Sequence, residues 1–332
     1  VLASLALAPR FGRLPGRWVA TLGYAIAAAA FYGASTRTDV PGMAVMHALA
    51  GLAAGAALSV THGTIARSGN PHRLFALVGI ALGVFAIAFF AAVPPRVAAT
   101  GGAVLFQVFA GVMALAAVVS LLAFPEPNAG PANQAAPAPG PREPMPRAVW
   151  FGIVGIGCMG LVQAMTFAFL ERVGMDRGFG LAAVTGVLVA LGLVNLLPAA
   201  LAALLEKHWR ARSVLLTGPV LQALLVLVIM QSTAFGPYAA AASVFAAVMI
   251  FTHTFAFGLL ARLESSGRAM AATPAMLMIG AAIGPVLGGT LIKVAGYGAL
   301  AAVAVLVGAV SVACMSRLPG ATPVPPARPR EA

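Results

Sequence analysis

Long runs of apolar residues, separated by short polar or basic stretches, dominate the pattern along this chain. Ten runs are long enough to cross a ~30 Å hydrocarbon layer as helices. They are Trp18–Ala34, Gly42–Ala66, Leu74–Val93, Ala98–Phe124, Ala148–Leu170, Phe179–Leu205, Val214–Gln231, Tyr238–Leu260, Ala269–Ile292 and Gly298–Met315. A further run, Val1–Ala8, is too short to cross. Helices are the required form, because lipid offers backbone groups no partners and a barrel would show short strands of alternating polarity. The pattern predicts an all-α polytopic membrane protein with ten full transmembrane helices and a partial one.

The runs also repeat. An offset of about 195 residues carries the runs near Val19, Gly42 and Leu74 onto those near Val214, Tyr238 and Ala269. The punctuation between them repeats too. Gly63-Thr64-Ile65-Ala66-Arg67, with Arg73 beyond it, is echoed by Gly258-Leu259-Leu260-Ala261-Arg262, with Arg268 beyond it. Two pseudo-symmetric helical bundles in one orientation are the layout of a secondary transporter. The predicted organisation is an N-terminal bundle over 1–124, a linker over 125–147, a six-helix bundle over 148–316 and a disordered tail over 317–332. The linker carries eight prolines among Ala, Gly and Asn, so it should be extended and solvated.

Six runs follow the linker and four precede it. The repeat therefore predicts that one full helix and most of a second, about 50 residues, belong ahead of Val1. A reduced ten-helix protein is the alternative.

Composition sharpens the class. The chain is 61% hydrophobic and only 8% charged, against roughly 25% charged in a soluble domain. A net charge of +12 raises nucleic acid as a partner. The basic residues, however, sit in short loops, with no basic run and no interleaved stacking aromatics, so no nucleic-acid partner is expected. Their distribution instead orients the helices. Placing the Arg10/Arg13/Arg17 loop in the cytoplasm puts the basic excess inside, together with the linker and both chain ends. The predicted setting is the bacterial inner membrane, with the lipid bilayer as surroundings and a monomer as the expected state. Cys158 and Cys314 lie within helical runs and read as small apolar filler, with no metal site or disulfide expected.

Three features resemble the major facilitator superfamily. These are the six-plus-six layout with a long middle loop, the loop Pro9-Arg10-Phe11-Gly12-Arg13, and the stretch Gly280-Ala281-Ala282-Ile283-Gly284-Pro285-Val286-Leu287-Gly288-Gly289 followed by Gly296-Tyr297. The loop is similar to the family's D-R-x-G-R signature, although Pro9 stands for its Asp and Leu14 for its closing basic residue. The resemblance covers residues 1–316. It implies a conformational latch at Arg10, Gly12 and Arg13, and a central cavity lined by the family's helices 1, 4, 7 and 10. No G-P motif occupies the family's helix 5 here.

Candidate residues follow from polarity inside the runs. All eight carboxylates can be placed in loops or at helix ends, so the histidines are the intramembrane titratable candidates. His253, between Thr252 and Thr254, is best placed for a cavity, with Met249 and Phe257 one turn either way on its face. His47 and His62 share an earlier helix, where His62 reads as interfacial. Gln163, Thr166, Phe167 and Asn195 complete an uncharged, partly aromatic lining. That lining suits a neutral or weakly charged small organic substrate, with protons as a candidate co-substrate. Gln107 and Gln222 read as structural. Gly280, Gly284 and Gly288 form a smooth stripe beside Pro285, suited to close packing, a hinge or a sliding surface. No cofactor and no metal are expected. A polytopic membrane enzyme would need a reactive cluster, and neither H-E-x-x-H nor G-x-S-x-G occurs. A non-transporting truncated remnant is the other alternative.

Overall fold

The computed structural model describes residues 1–11, 14–125 and 144–319; among them it is helical, without strands. The helices are α1 (Leu2–Leu7), α2 (Gly16–Ser35), α3 (Val40–Ala66), α4 (Pro71–Thr100), α5 (Ala103–Ala123), α6 (Arg147–Phe167), α7 (Leu170–Asp176), α8 (Leu181–Val194), α9 (Leu197–Leu205), α10 (Ala211–Gln231), α11 (Phe235–Leu263), α12 (Arg268–Ala271) and α13 (Thr273–Ser316). Gly12, Arg13, most of the predicted linker and most of the tail lie outside the described residues.

Among the described residues the ten predicted runs are helical, in nine units long and apolar enough to cross a membrane. α6 with α7, and α8 with α9, each make one span, and α13 makes two. Its backbone leaves the helical region at Ala295 (φ −142°, ψ 17°) and Gly296 (φ 71°, ψ −175°). That second conformation is essentially open to glycine alone, so Gly296 is where the chain reverses. Several boundaries differ from the prediction, two of the largest at the turn between α4 and α5. α4 runs through Pro94 and Pro95 to Thr100, past the expected end at Val93, and α5 begins at Ala103 rather than Ala98. The turn comes at Gly101, whose φ of 96° suits glycine, and not at the prolines.

Polar caps define the loop ends. Asp39 accepts from Gly42 N–H at 2.7 Å and Asn70 from Arg73 N–H at 3.0 Å, each just before a proline in the first turn. Glu264 closes the turn after α11. It accepts from Ala269 N–H at 3.0 Å and also bonds Ser266, while Gly267 takes φ 86°.

Packing within the first part rests on small residues. α2 lies against α3 and α5, and a Cβ at Gly23 would sit 2.7 Å from the Ala53 carbonyl oxygen. The second part buries larger side chains, among them Tyr238, Phe245, Phe255 and Met159. Lipid is as apolar as these interiors, so van der Waals fit and hydrogen bonds hold such helices together, not expulsion from water. The outer faces are correspondingly apolar, with Leu122, Val286 and Leu204 exposed.

The glycine stripe serves this packing. A Cβ at Gly280 would lie 2.5 Å from the backbone of Gly160 and Leu161, and one at Gly284 would lie 2.7 Å from Ala164 Cβ. The stripe thus brings α13 onto α6 of the same half, backbone to backbone, and the helix continues through Pro285.

Candidate functional site

Contacts between the two halves gather at one end. The C-terminal turns of α3 meet α12 and the start of α13, while the C-terminal turns of α11 meet the start of α4, which also packs on α9. Phe11, from the loop after α1, lies over Gly63 and Gly267, so this is the end that carries the Arg10–Arg17 loop. Hydrogen bonds cross between the halves here: Ser59 Oγ–H to Ala271 O at 2.6 Å, His62 with Thr273 at 2.5 Å, and His72 with Ala202 O at 3.1 Å.

His62 is the hub of a ring cluster. Its ring meets Phe75 edge-on at 5.4 Å and faces Phe257 at 6.3 Å. Phe257 in turn contacts Phe75 at 5.2 Å and His253 at 5.0 Å. One histidine from each half therefore flanks the same phenylalanine. Hydrogen-bond counting fixes the tautomers. Thr273 Oγ1–H donates to Met270 O at 2.7 Å, so His62 Nδ1–H is the donor to Thr273. His253 Nδ1–H donates to Met249 O at 2.8 Å, because a carbonyl only accepts. In both rings Nε2 is left as the basic nitrogen.

His62, expected near the membrane–water interface, lies one turn from the end of α3, half-buried between the halves and bonded to the opposite one. Sequence separation hides this, since 211 residues divide His62 from Thr273.

The remaining candidates fall into separate places. Met249, His253 and Phe257 come together on α11 as their spacing requires. Gln163 accepts from Gln222 Nε2–H at 3.1 Å, and the same amide donates to Met159 O at 3.2 Å, so Gln163 is turned toward α10. Thr166 is buried and Asn195 lies at the joint of α8 and α9; Thr166 Oγ1 and Asn195 Oδ1 have no hydrogen-bond partner among the described residues. Phe167 is exposed at the end of α6. Among the described residues no hydrogen bond or ring contact joins these four to the histidines. Arg10 donates to Ala6 O at 2.7 Å within its own turn.

A residue not singled out from sequence, His72, completes this end. His72 is buried, donates from Nε2 to Ala202 O, and meets Phe255 edge-on at 5.0 Å. Beside it a cleft of about 200 Å³ is lined by Asn70, Glu206, Gly258 and Arg262, with the Arg262–Glu206 pair at 3.7 Å. The Asn-Pro-His start of α4 is a helix-start signal, which gives no hint of a cross-half contact.

No protein-family model and no curated protein sequence matches the chain. Solved structures do. The major facilitator superfamily transporter FucP in the outward conformation aligns over 96% of this chain and 86% of its own, with a TM-score of 0.71 at 14% identity. A bacterial homologue of the iron transporter ferroportin, in an outward-facing state, aligns over 95% and 88%, with a TM-score of 0.63 at 14% identity. The human organic anion transporter MFSD10 aligns over 96% and 79%, with a TM-score of 0.57 at 14% identity. Ten apolar crossings, a parallel internal repeat and these likenesses agree: the chain has the fold of the major facilitator superfamily.

Proposed function

We propose that the chain is a secondary active transporter that moves a small, neutral or weakly charged organic molecule across a bacterial inner membrane by alternating access. The observation that carries this reading is the one-sided meeting of the two halves. Contacts concentrated at the Arg-loop end, around His62, Thr273 and Phe257, are what a rocking pair of bundles makes when closed on that side. With the Arg-loop end cytoplasmic, the state is outward-facing, in keeping with the conformations of the two best-aligned folds quoted above.

The substrate site lies on the membrane side of the ring cluster, with Met249, His253 and Phe257 as its floor. Gln163, Thr166, Phe167 and Asn195 form its wall. Proton coupling runs through His253, whose Nε2 holds a lone pair while Nδ1–H is engaged. FucP, an E. coli fucose:proton symporter, shares the fold and supports that reading by analogy. The loop at Arg10 latches the closed end, and the Gly280–Gly288 stripe keeps the second bundle rigid as it tilts.

The test is uptake of neutral organic solutes into vesicles holding the purified protein, with and without an imposed pH gradient. A solute whose uptake depends on the gradient, and loses that dependence in His253→Ala, supports the proposal. Gradient-dependent uptake unchanged in His253→Ala removes His253 from the coupling. No saturable uptake for any solute that raises the protein's melting temperature sinks the transporter reading.

A further inference from the structure

The offset that pairs His62 with Phe257 also pairs Gly63 with Gly258 and His72 with Gly267, and all four meet at the closed end. A Cβ at Gly258 would lie 2.7 Å from Nδ1 and 2.9 Å from Cβ of His72. A Cβ at Gly267 would lie 2.6 Å from the Gly63 carbonyl oxygen, and Cβ atoms at both Gly63 and Gly267 would lie 2.5 Å from the Phe11 ring. The two crossings are therefore repeats of one another. In each, the last turns of one long helix receive the start of a helix from the other half across a bare glycine. At the α3 crossing two glycines meet and Phe11 fills the remaining space. At the α11 crossing a histidine side chain takes that role alone.

We infer that His72, seated over Gly258, is a reversible plug that sets how often the Arg-loop end opens. It is a positioning residue of the conformational cycle and touches no substrate. Three observations carry this. The side chain is 2% exposed although it begins a loop-proximal helix. Its anchors, Ala202 O and the Phe255 ring, both belong to the opposite half. Its Nδ1 has no hydrogen-bond partner among the described residues and lies over Gly258. A buried, unpaired acceptor costs free energy that opening would return, since water could then reach it. The plug holds the end shut without locking it.

This inference rests on the alternating-access reading, and the test separates the two. Spin labels at Arg67 and Lys207 report the closed end, and labels at Arg37 and Thr233 report the far end, in the full chain in lipid with Cys158 and Cys314 replaced. Gly258→Ala should raise the long-distance population at the Arg67–Lys207 pair at least tenfold, with a matching rise of short distances at the far end. His72→Gly should raise it less. The double variant should match His72→Gly, because the added methyl then has nothing to strike. An unchanged distribution in Gly258→Ala overturns the plug, as does an equal effect of Gly258→Ala with and without His72. Widening at the closed end with no far-end response overturns the rocking reading itself.

Discussion

The rings of His62 and Phe257 stand 6.3 Å apart, and their positions differ by the same offset of about 195 that relates the two parts of the sequence. Equivalent residues of a duplicated unit meet this closely only near the pseudo-twofold axis that relates the copies. That axis passes through the closed end, between a histidine of one half and a phenylalanine of the other. The replacement of one ring by the other breaks the symmetry where the halves join.

The hydrogen bond of that histidine should matter for stability. Thr273→Val removes both the acceptor for His62 Nδ1–H and the donor to Met270 O. The expected loss is about 1–3 kcal/mol, read as a lower melting temperature in detergent. Thr290→Val, at an exposed hydroxyl that bonds only its own helix, should change little.

Close backbone contact makes Gly280 intolerant of any side chain. Gly280→Ala places a methyl against Gly160 and Leu161 backbone atoms, which have no room to yield. The expected cost is about 1–3 kcal/mol. Gly111→Ala, where a Cβ would meet nothing within 4 Å, should be neutral or stabilising by up to about 1 kcal/mol. Equal melting temperatures for the two variants would contradict the packing described.

Helix starts at the loops should depend on their caps. Asn70→Ala and Asp39→Ala each remove an acceptor for a first-turn N–H. Each should cost about 0.5–2 kcal/mol, while replacement by Ser should recover most of it. The Asn70 variant should also loosen the closed end, because His72 lies in the same turn.

Topology offers a test independent of stability. α3 and α11 both end against the start of α4, through the His62–Phe75 and Phe257–Phe75 contacts. Arg67 and Arg262 must then lie on one side of the membrane. Reporter fusions after each residue should give the same signal, and opposite signals would dissolve the duplication.

The crossings were legible in the sequence because bilayer thickness sets a minimum length for apolar runs, and the repeat was legible because Gly-x-x-x-Arg recurs at both long-helix ends. The Met249–His253–Phe257 face followed from helical periodicity alone. What the chain did not reveal was pairing between halves. His72 with Ala202 and His62 with Thr273 join residues 130 and 211 positions apart, and their meeting depends on how two bundles tilt. Gln163 shows the same limit. Its polarity marks it as needing a partner, but not that the partner is Gln222 on α10, 59 positions away. Proline was a poor guide to α4, where Gly101 ends the helix and Pro94 and Pro95 do not.

Cross-linking the closed end tests the central claim most directly. Ser59 Oγ lies 2.6 Å from Ala271 O, so thiols in Ser59→Cys with Ala271→Cys, in a background without Cys158 and Cys314, should be close enough for a short bis-thiosulfonate reagent to link the halves through reducible disulfides. With the link formed, spin labels at Arg37 and Thr233 should report a single long distance, and reduction should add a shorter population. A short distance in the linked protein, or an identical distribution before and after reduction, would contradict alternating closure of the two ends.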